Sequence, residues 1–179
     1  TDWALHAADR PLVYERFEGQ SGAPVQRGVS WVPDVVGFGG IATENKFSAR
    51  FDGRPESSVQ FGPELSLETP DFTVEAFVKP EESWDYSAIV AHWDEPGDQR
   101  AWALVLCAGN GLRFDVMPDG KFHPDNRLPT ASRLLRAGAW HHVAAVSAGN
   151  VSRVYVNGRL CAERERQSGA TLLRAVALG

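Results

Sequence analysis

Sulfur-containing residues are scarce in this sequence of 179 residues. It has two cysteines, Cys107 and Cys161, and one methionine. Both cysteines fall on predicted strands, where a free cysteine packs as a small hydrophobic residue. Because unpaired cysteines are commonly buried, we expect two free, buried thiols in preference to a disulfide. This cysteine content neither requires nor excludes an oxidising compartment.

Long apolar runs and an excess of positive charge are also missing. No stretch approaches the roughly 20 apolar residues that a membrane-spanning helix needs, so we expect no membrane insertion. The formal net charge is -5, which argues against nucleic acid or an anionic membrane as the main partner. The one methionine is Met117 and the sequence opens on Thr1. We therefore expect that a leader, tag or upstream domain has been removed.

The sequence lacks the local motifs of the common enzyme classes. It contains no His-Glu-x-x-His, no Gly-x-Ser-x-Gly, no Cys-x-x-Cys and no phosphate-binding glycine-rich loop. The acidic pairs Glu81-Glu82 and Asp94-Glu95 lie in predicted loops, and we interpret them as solvated surface. His141 and His142 are adjacent on a predicted strand, so they point to opposite faces and cannot bind one ion together.

Alternating apolar residues and frequent turn signals are what the sequence does contain. Asp71–Pro80, Gly138–Val146 and Val151–Gly158 each alternate in this way, and the last ends on Asn157-Gly158. Turn signals recur about every 8 to 12 residues and no helical period is sustained, which indicates an all-β protein with two antiparallel sheets face to face.

Those three stretches together resemble a known family. The motifs are Phe72-Thr-Val-Glu-Ala-Phe-Val-Lys-Pro80, Gly138-Ala-Trp-His-His-Val-Ala144 and Tyr155-Val-Asn-Gly158. They are similar to those of the laminin-G-like and pentraxin-like domains, with Phe77 where the family usually has tryptophan. The resemblance implies a two-sheet antiparallel jelly-roll sandwich of the concanavalin A-like lectin/glucanase type.

The same resemblance implies one domain over residues 1–179 that lacks the family's final strand. The sequence ends at Ala175–Gly179, which looks like the penultimate strand. The missing strand would pack beside the opening one, predicted at Leu12–Glu18. We therefore expect a strand from another chain, or from Gly28–Gly40, to pair there, or the native protein to continue beyond Gly179.

The resemblance also places Glu75 opposite Ala144 on adjacent strands, and so brings Glu75 close to His142. We predict a structural polar pair within hydrogen-bonding or one-water reach, with His142 buried. Within the same strand, period two predicts that Phe72, Val74, Ala76 and Val78 face one side, and Thr73, Glu75 and Phe77 the other.

Calcium is left as an open alternative by this resemblance. Relatives often carry a calcium-binding aspartate in the loop that corresponds to Gly19–Pro24, and here that loop has none. Glu18 and Asp52, near strand ends, could contribute oxygen ligands. We predict no other cofactor.

One concentration of aromatic and polar residues suits a sugar, since sugars bind to flat rings flanked by a few polar groups. Its predicted members are Trp84, Tyr86, Trp93, Asp94 and Arg100.

Three functions are compatible with this sequence. The first is a non-catalytic carbohydrate-binding module of a larger secreted or cell-surface protein. The second is a protein-interaction or adhesion module. The third is a glycan-active enzyme whose site lies in the concave groove.

Overall fold

A computed structural model describes residues 13, 15, 17, 25–35, 46–61, 71–81, 86–94 and 99–166. It divides into a smaller unit, Thr1–Ser66 with Ala177–Gly179, and a larger unit, Leu67–Val176. Regular structure is almost entirely antiparallel strand, with a single 3-10 turn at Pro124–Asn126 among the described residues. No helix in these ranges is long and apolar enough to cross a membrane. The all-β prediction is confirmed.

The smaller unit contains two strand pairs. Strand β1 (Val25–Arg27) pairs with β4 (Ser58–Gln60), and β2 (Val29–Val32) pairs with β3 (Ser48–Phe51). The predicted opening strand is wrong at its described positions: Val13, Glu15 and Phe17 are not in a strand, and Phe17 has a φ of 55°. Its other residues, and the chain after Arg166, lie outside the described residues, so the pairing proposed for this edge stays a prediction.

The first sheet of the larger unit has the strand order β12-β11-β10-β5. These strands are β5 (Phe72–Val78), β10 (His141–Ala148), β11 (Val151–Val156) and β12 (Arg159–Glu165). Their register pairs Glu75 with Ala144, as predicted. Burial alternates along β5, and its inward side chains pack on the core: Phe72, Val74, Ala76 and Val78. Thr73, Glu75 and Phe77 are exposed, which confirms the predicted segregation.

The second sheet has the order β6-β7-β8-β9. Its strands are β6 (Ser87–Asp94), β7 (Gln99–Cys107), β8 (Gly111–Val116) and β9 (Arg127–Pro129). The apolar run in β7 predicts a strand covered on both faces, and its residues Trp102, Ala103, Leu104 and Val105 are all buried. The β7–β8 turn centres on Gly109 and Asn110, which both have positive φ, rather than on Asn110 and Gly111.

The core of the larger unit lies between these two sheets. Leu104, Phe114, Val143 and Val154 each have no exposed surface. The Phe114 ring meets Phe72 edge-on at a centroid distance of 6.0 Å. Complete burial of such a side chain contributes about 1.5–3 kcal/mol. The two sheets of the larger unit are therefore held together by shared apolar packing.

Candidate functional site

The outward face of the second sheet carries charge across three strands. Side chains alternate along β7 and β8, so inward Leu104 and Phe114 leave Ala103 and Asp115 on the opposite face. The register places Ala103, Asp115 and Arg127 side by side across β7, β8 and β9. A buried strand thus positions a carboxylate next to a guanidinium.

Guanidinium groups and aromatic rings alternate on this face. Arg100 lies over Trp93, with its central carbon 5.9 Å from the ring centroid, and also 5.6 Å from the Phe122 ring. Arg127 approaches the same Phe122 ring to 5.5 Å. Each such cation–π contact contributes about 0.5–1 kcal/mol when partly exposed. The contacts hold both arginine side chains in defined positions.

A further contact of the same kind lies elsewhere on this face, where the Arg113 guanidinium is 4.8 Å from the Tyr86 ring centroid. We refer to the connected set as the guanidinium–aromatic band. It consists of Tyr86, Trp93, Arg100, Arg113, Phe122 and Arg127.

Asp115 links the two ends of the guanidinium–aromatic band. Its side chain is 2% exposed, and its two oxygens accept from Arg113 Nε at 2.8 and 3.0 Å. Arg127 Nε is 3.7 Å from Asp115 Oδ2. A buried carboxylate without such partners would cost several kcal/mol. Asp115 therefore serves to hold Arg113 and Arg127 in position.

Access to the band differs along its length. Tyr86 is 65% exposed and Phe122 is 42% exposed, whereas Ala103 and Val105 between them are buried. Trp93, Arg100 and Arg127 are half-buried. The Tyr86 ring is the more exposed of the two, but Arg127 at the Phe122 end is 31% exposed against 14% for Arg113 at the Tyr86 end. A ligand that binds to a guanidinium group would therefore meet it more readily at the Phe122 end.

The structure brings together part of the predicted sugar platform. Trp93 and Arg100 are register partners and in contact. Tyr86 belongs to the opposite end of the band, and its backbone has a positive φ of 65°. Asp94 ends β6 and pairs with Gln99. Trp84 lies outside the described residues, so its role stays a prediction.

Sequence reasoning missed four members of this site: Arg113, Asp115, Phe122 and Arg127. Arg113 and Asp115 are two positions apart on one strand. Because side chains alternate between the two faces of a strand, the sequence alone could have indicated that these two lie on the same face. Phe122 and Arg127 fall in a stretch, 121–130, that the sequence predicts to be irregular. It contains β9 instead, a three-residue strand that ends in a proline.

The predicted polar pair lies on the outward face of the other sheet. His142 Nε2 is 3.2 Å from Glu75 Oε2, which confirms the contact. The expectation that His142 is buried is wrong, because its side chain is 29% exposed and Glu75 is 46% exposed. The His142 ring also packs on Phe77, at a centroid distance of 4.9 Å. The pair is a surface cross-strand contact.

His141, the other member of the histidine tandem, has separate partners. Its Nε2 accepts a hydrogen bond from the Arg136 backbone N–H at 3.0 Å. It is the register partner of inward-facing Val78, whereas His142 is the partner of Phe77. The prediction that the two histidines point to opposite faces is confirmed.

Two titratable side chains of the second sheet, Cys107 and His92, have shifted pKa values. Cys107 is free and half-buried, and burial raises the pKa of its thiol, with Arg113 opposing the rise. Burial also lowers the pKa of His92. These shifts favour the neutral forms of both groups. Cys107 is consequently a poor nucleophile, since the thiolate is the reactive form.

The predicted calcium ligands do not form a site among the described residues. Asp52 accepts hydrogen bonds from the Ser57 hydroxyl and the Arg54 backbone N–H, and the Ser57 bond is the main cause of a lowered Asp52 pKa. Glu18 lies outside the described residues. Within the described ranges no three His, Cys, Asp or Glu side chains are grouped to hold a metal ion. Cys161, like Cys107, is free and half-buried.

Comparison with known proteins agrees with this architecture. A laminin G-type family model, described as the concanavalin A-like lectin/glucanases superfamily, matches residues 52–178. A search of curated proteins found no significant match to the chain. The family match spans every strand of the second sheet and hence the whole guanidinium–aromatic band.

Proposed function

The chain belongs to the concanavalin A-like lectin/glucanase superfamily, and on that premise we propose that it is a non-catalytic carbohydrate-binding module. Membership supports binding of a carbohydrate or another ligand in general. We further propose that the module is part of a larger secreted or cell-surface protein. The observation that carries the proposal is the guanidinium–aromatic band on the outward face of the second sheet.

The chemistry of the band suits a saccharide. A sugar presents apolar C–H faces, which pack on aromatic rings, and oxygens, which accept hydrogen bonds from guanidinium N–H groups. Phe122 offers an exposed ring, and the guanidinium groups of Arg100 and Arg127 both contact that ring. Because Arg100 and Arg127 lie on strands β7 and β9 and both contact the Phe122 ring, a ligand would lose little affinity to ordering these side chains.

A non-catalytic role fits the state of the carboxylate on this face. Glycoside hydrolysis requires two carboxyl groups, one of which gives or takes a proton. Asp115 is buried and both its oxygens accept from Arg113. Because its side chain is only 2% exposed, Asp115 cannot contact a bound glycan and serves instead to position its neighbours.

A glycan array with two matched variants tests the proposal. Phe122 and Phe77 are 42% and 43% exposed, respectively. Phe122 lies in the loop between β8 and β9, whereas Phe77 lies on β5 of the other sheet. Phe122→Ala should lower binding to the best glycan about tenfold or more, as expected for an aromatic anchor. Phe77→Ala should leave it within about twofold. Absence of any glycan binding, or equal losses in the two variants, would overturn the proposal.

The outward face of the first sheet favours protein interaction as a second candidate function. Phe77 and Leu160 are 43% and 46% exposed there, and exposed apolar side chains on one face are typical of protein contacts. If a protein ligand is captured by the chain and lost in Phe77→Ala but not in Phe122→Ala, the adhesion role is the better description.

A further inference from the structure

Among the described residues, the side chains of the guanidinium–aromatic band are mainly hydrogen-bond donors, and the Tyr86 hydroxyl is the one group in the band that can also accept. Arginine supplies up to five N–H donors and no acceptor, and three arginines contribute here. The carboxylate of Asp115 could accept hydrogen bonds, but both oxygens already accept from Arg113. In the loop that carries Phe122, the Asp119 carboxylate is likewise bonded to His123, at 2.9 Å.

A surface whose described side chains are mainly donors discriminates between kinds of sugar. A neutral sugar hydroxyl both donates and accepts, so a well-matched site offers acceptors as well as donors. A carboxylate or sulfate only accepts, and its charge makes each hydrogen bond from a guanidinium about twice as strong as a neutral one. The local charge is also opposite to that of the whole chain, which is formally -5.

Arg127 is the arginine best placed to meet such a group. Its Nε is buried and has no hydrogen-bond partner, the nearest Asp115 oxygen being 3.7 Å away, so a ligand would bind to the two terminal nitrogens of the guanidinium group. That long ion pair is the only polar contact of the Arg127 guanidinium within the described ranges. The side chain is 31% exposed and is held over the Phe122 ring.

We propose that the saccharide is anionic, and that Arg127 binds its carboxylate or sulfate group while the sugar ring packs on Phe122. Arg100, which reaches the same ring, supplies a second cation to the anionic group. Asp115 and Arg113 keep Arg127 in position from below. This inference rests on the proposed carbohydrate-binding function and names the class of its ligand.

Affinity measurements on the full chain with three polysaccharides test the inference. Polygalacturonate carries carboxylates, dextran sulfate carries sulfates, and dextran is neutral. Affinity electrophoresis at about 50 and 500 mM salt gives the dissociation constant of each, since salt screens charge attraction between these limits. We expect at least one anionic polymer to bind tenfold or more tightly than dextran, with affinity falling as salt rises.

Arg127→Gln should reduce binding to that anionic polymer at least tenfold. The matched control is Arg153→Gln, because Arg153 is 32% exposed against 31% for Arg127 and is ion-paired with Glu163 on the other sheet. It removes the same charge from the same chain, and it should change the affinity less than twofold. An equal loss of affinity in both variants would overturn the inference, because it would show that binding depends on the net charge of the chain and not on the position of Arg127.

Arg127→Lys covers the case in which Arg127→Gln fails to fold. It keeps a cation near Asp115 but removes the planar fork of donors. With an unchanged melting temperature it should lose at least threefold in affinity for the anionic polymer, and full retention would count against Arg127 as the binding group.

The outcomes separate the two levels of proposal. Tighter binding of dextran than of both charged polymers, unaffected by Arg127→Gln, would overturn the anionic ligand and leave the carbohydrate-binding function standing. Binding of no saccharide in this set or on the glycan array would overturn both. Preference for polygalacturonate or for dextran sulfate identifies which anionic group the site accepts.

Discussion

The contact between the side chains of Glu75 and His142 adds to the backbone pairing of strands β5 and β10. The residues are diagonal neighbours on β5 and β10, since Glu75 is the register partner of Ala144 and His142 that of Phe77. Their side chains are 46% and 29% exposed, so water screens the interaction. Exposed pairs of this kind contribute about 0.2–1 kcal/mol to stability.

Glu75→Gln should therefore lower the free energy of unfolding by less than about 1 kcal/mol. Urea denaturation measures this change, and a double-mutant cycle with His142→Gln isolates the coupling between the two residues. Glu165→Gln, at the exposed end of β12 in the same sheet, is the control and should be near neutral. A coupling above about 2 kcal/mol would show that the pair is shielded from solvent, contrary to the observed exposure.

At single positions, the sequence predicts which face a side chain occupies better than it predicts burial. Alternation along β5 correctly assigned all seven residues to two faces. Burial of His142 was wrong because it depends on whether anything covers the outer face of the sheet. Nothing in the local sequence of β5 or β10 contains that information.

A hairpin end is clamped by Arg166, which follows strand β12. Its backbone N–H donates to Asn150 O at 2.6 Å. Its guanidinium donates to Ser147 Oγ at 2.8 Å, to Ser152 Oγ at 2.9 Å, and to the Gly149 carbonyl. Burial lowers the pKa of Arg166, with Asp71 opposing the shift. One buried cation thus satisfies polar groups at the end of β10 and the start of β11.

Arg166→Met should destabilise the chain by about 2–4 kcal/mol. The reason is that Ser147 and Ser152 are each 1% exposed, so their hydroxyls would lose a charged partner without gaining water. Equilibrium denaturation in urea measures the loss. Arg159→Met, at the exposed start of β12, should change stability by less than about 0.5 kcal/mol. Similar values for the two variants would mean that the clamp contributes nothing.

The sequence predicts a strand boundary correctly where the turn residues are ones that a particular type of turn requires. Asn157 and Gly158 have φ values of 50° and 76°, as a two-residue hairpin turn requires, and β11 and β12 flank them as a pair. The sequence predicts residues 121–130 to be irregular because the prolines Pro124 and Pro129 argue against a strand. That prediction therefore missed both the 3-10 turn and the short strand β9. Strand β9 is an edge strand, where proline is tolerated.

Across the larger unit, the shared core decides stability. Phe114 has no exposed surface and contacts Phe72 of the opposite sheet. Its neighbours in the core cluster come from both sheets and include Leu104, Val143 and Val154. Removal of this ring would leave a cavity that a close-packed interior cannot fill.

Phe114→Ala should lower the free energy of unfolding by about 3–5 kcal/mol. Phe77→Ala deletes the same ring from a site that is 43% exposed, and it should cost about 1 kcal/mol or less. Thermal and urea unfolding of both variants give the comparison. A difference of less than about 1 kcal/mol would mean that the ring at position 114 is not part of a tightly packed core.

The fold of the larger unit was more predictable than the guanidinium–aromatic band on it. Family motifs lie on β5, β10 and β11, whose pairing builds one sheet, so the resemblance implied the sandwich directly. The guanidinium–aromatic band joins residues from four separate stretches between Tyr86 and Arg127. None of these stretches is a motif alone, and only the register across β6–β9 brings them together.

The pairing of β5 with β10 also bears on how fast the chain folds. Strands β6 to β9 form a meander in which each strand pairs with the next along the chain. Strand β5 instead pairs with β10, across about sixty intervening residues. Closing a loop of that length lowers the conformational entropy of the chain before the two strands can form contacts. Pairing between strands that are distant in sequence therefore slows folding. The meander and the β10–β11 hairpin should form first, and closure of β5 onto β10 should set the folding rate.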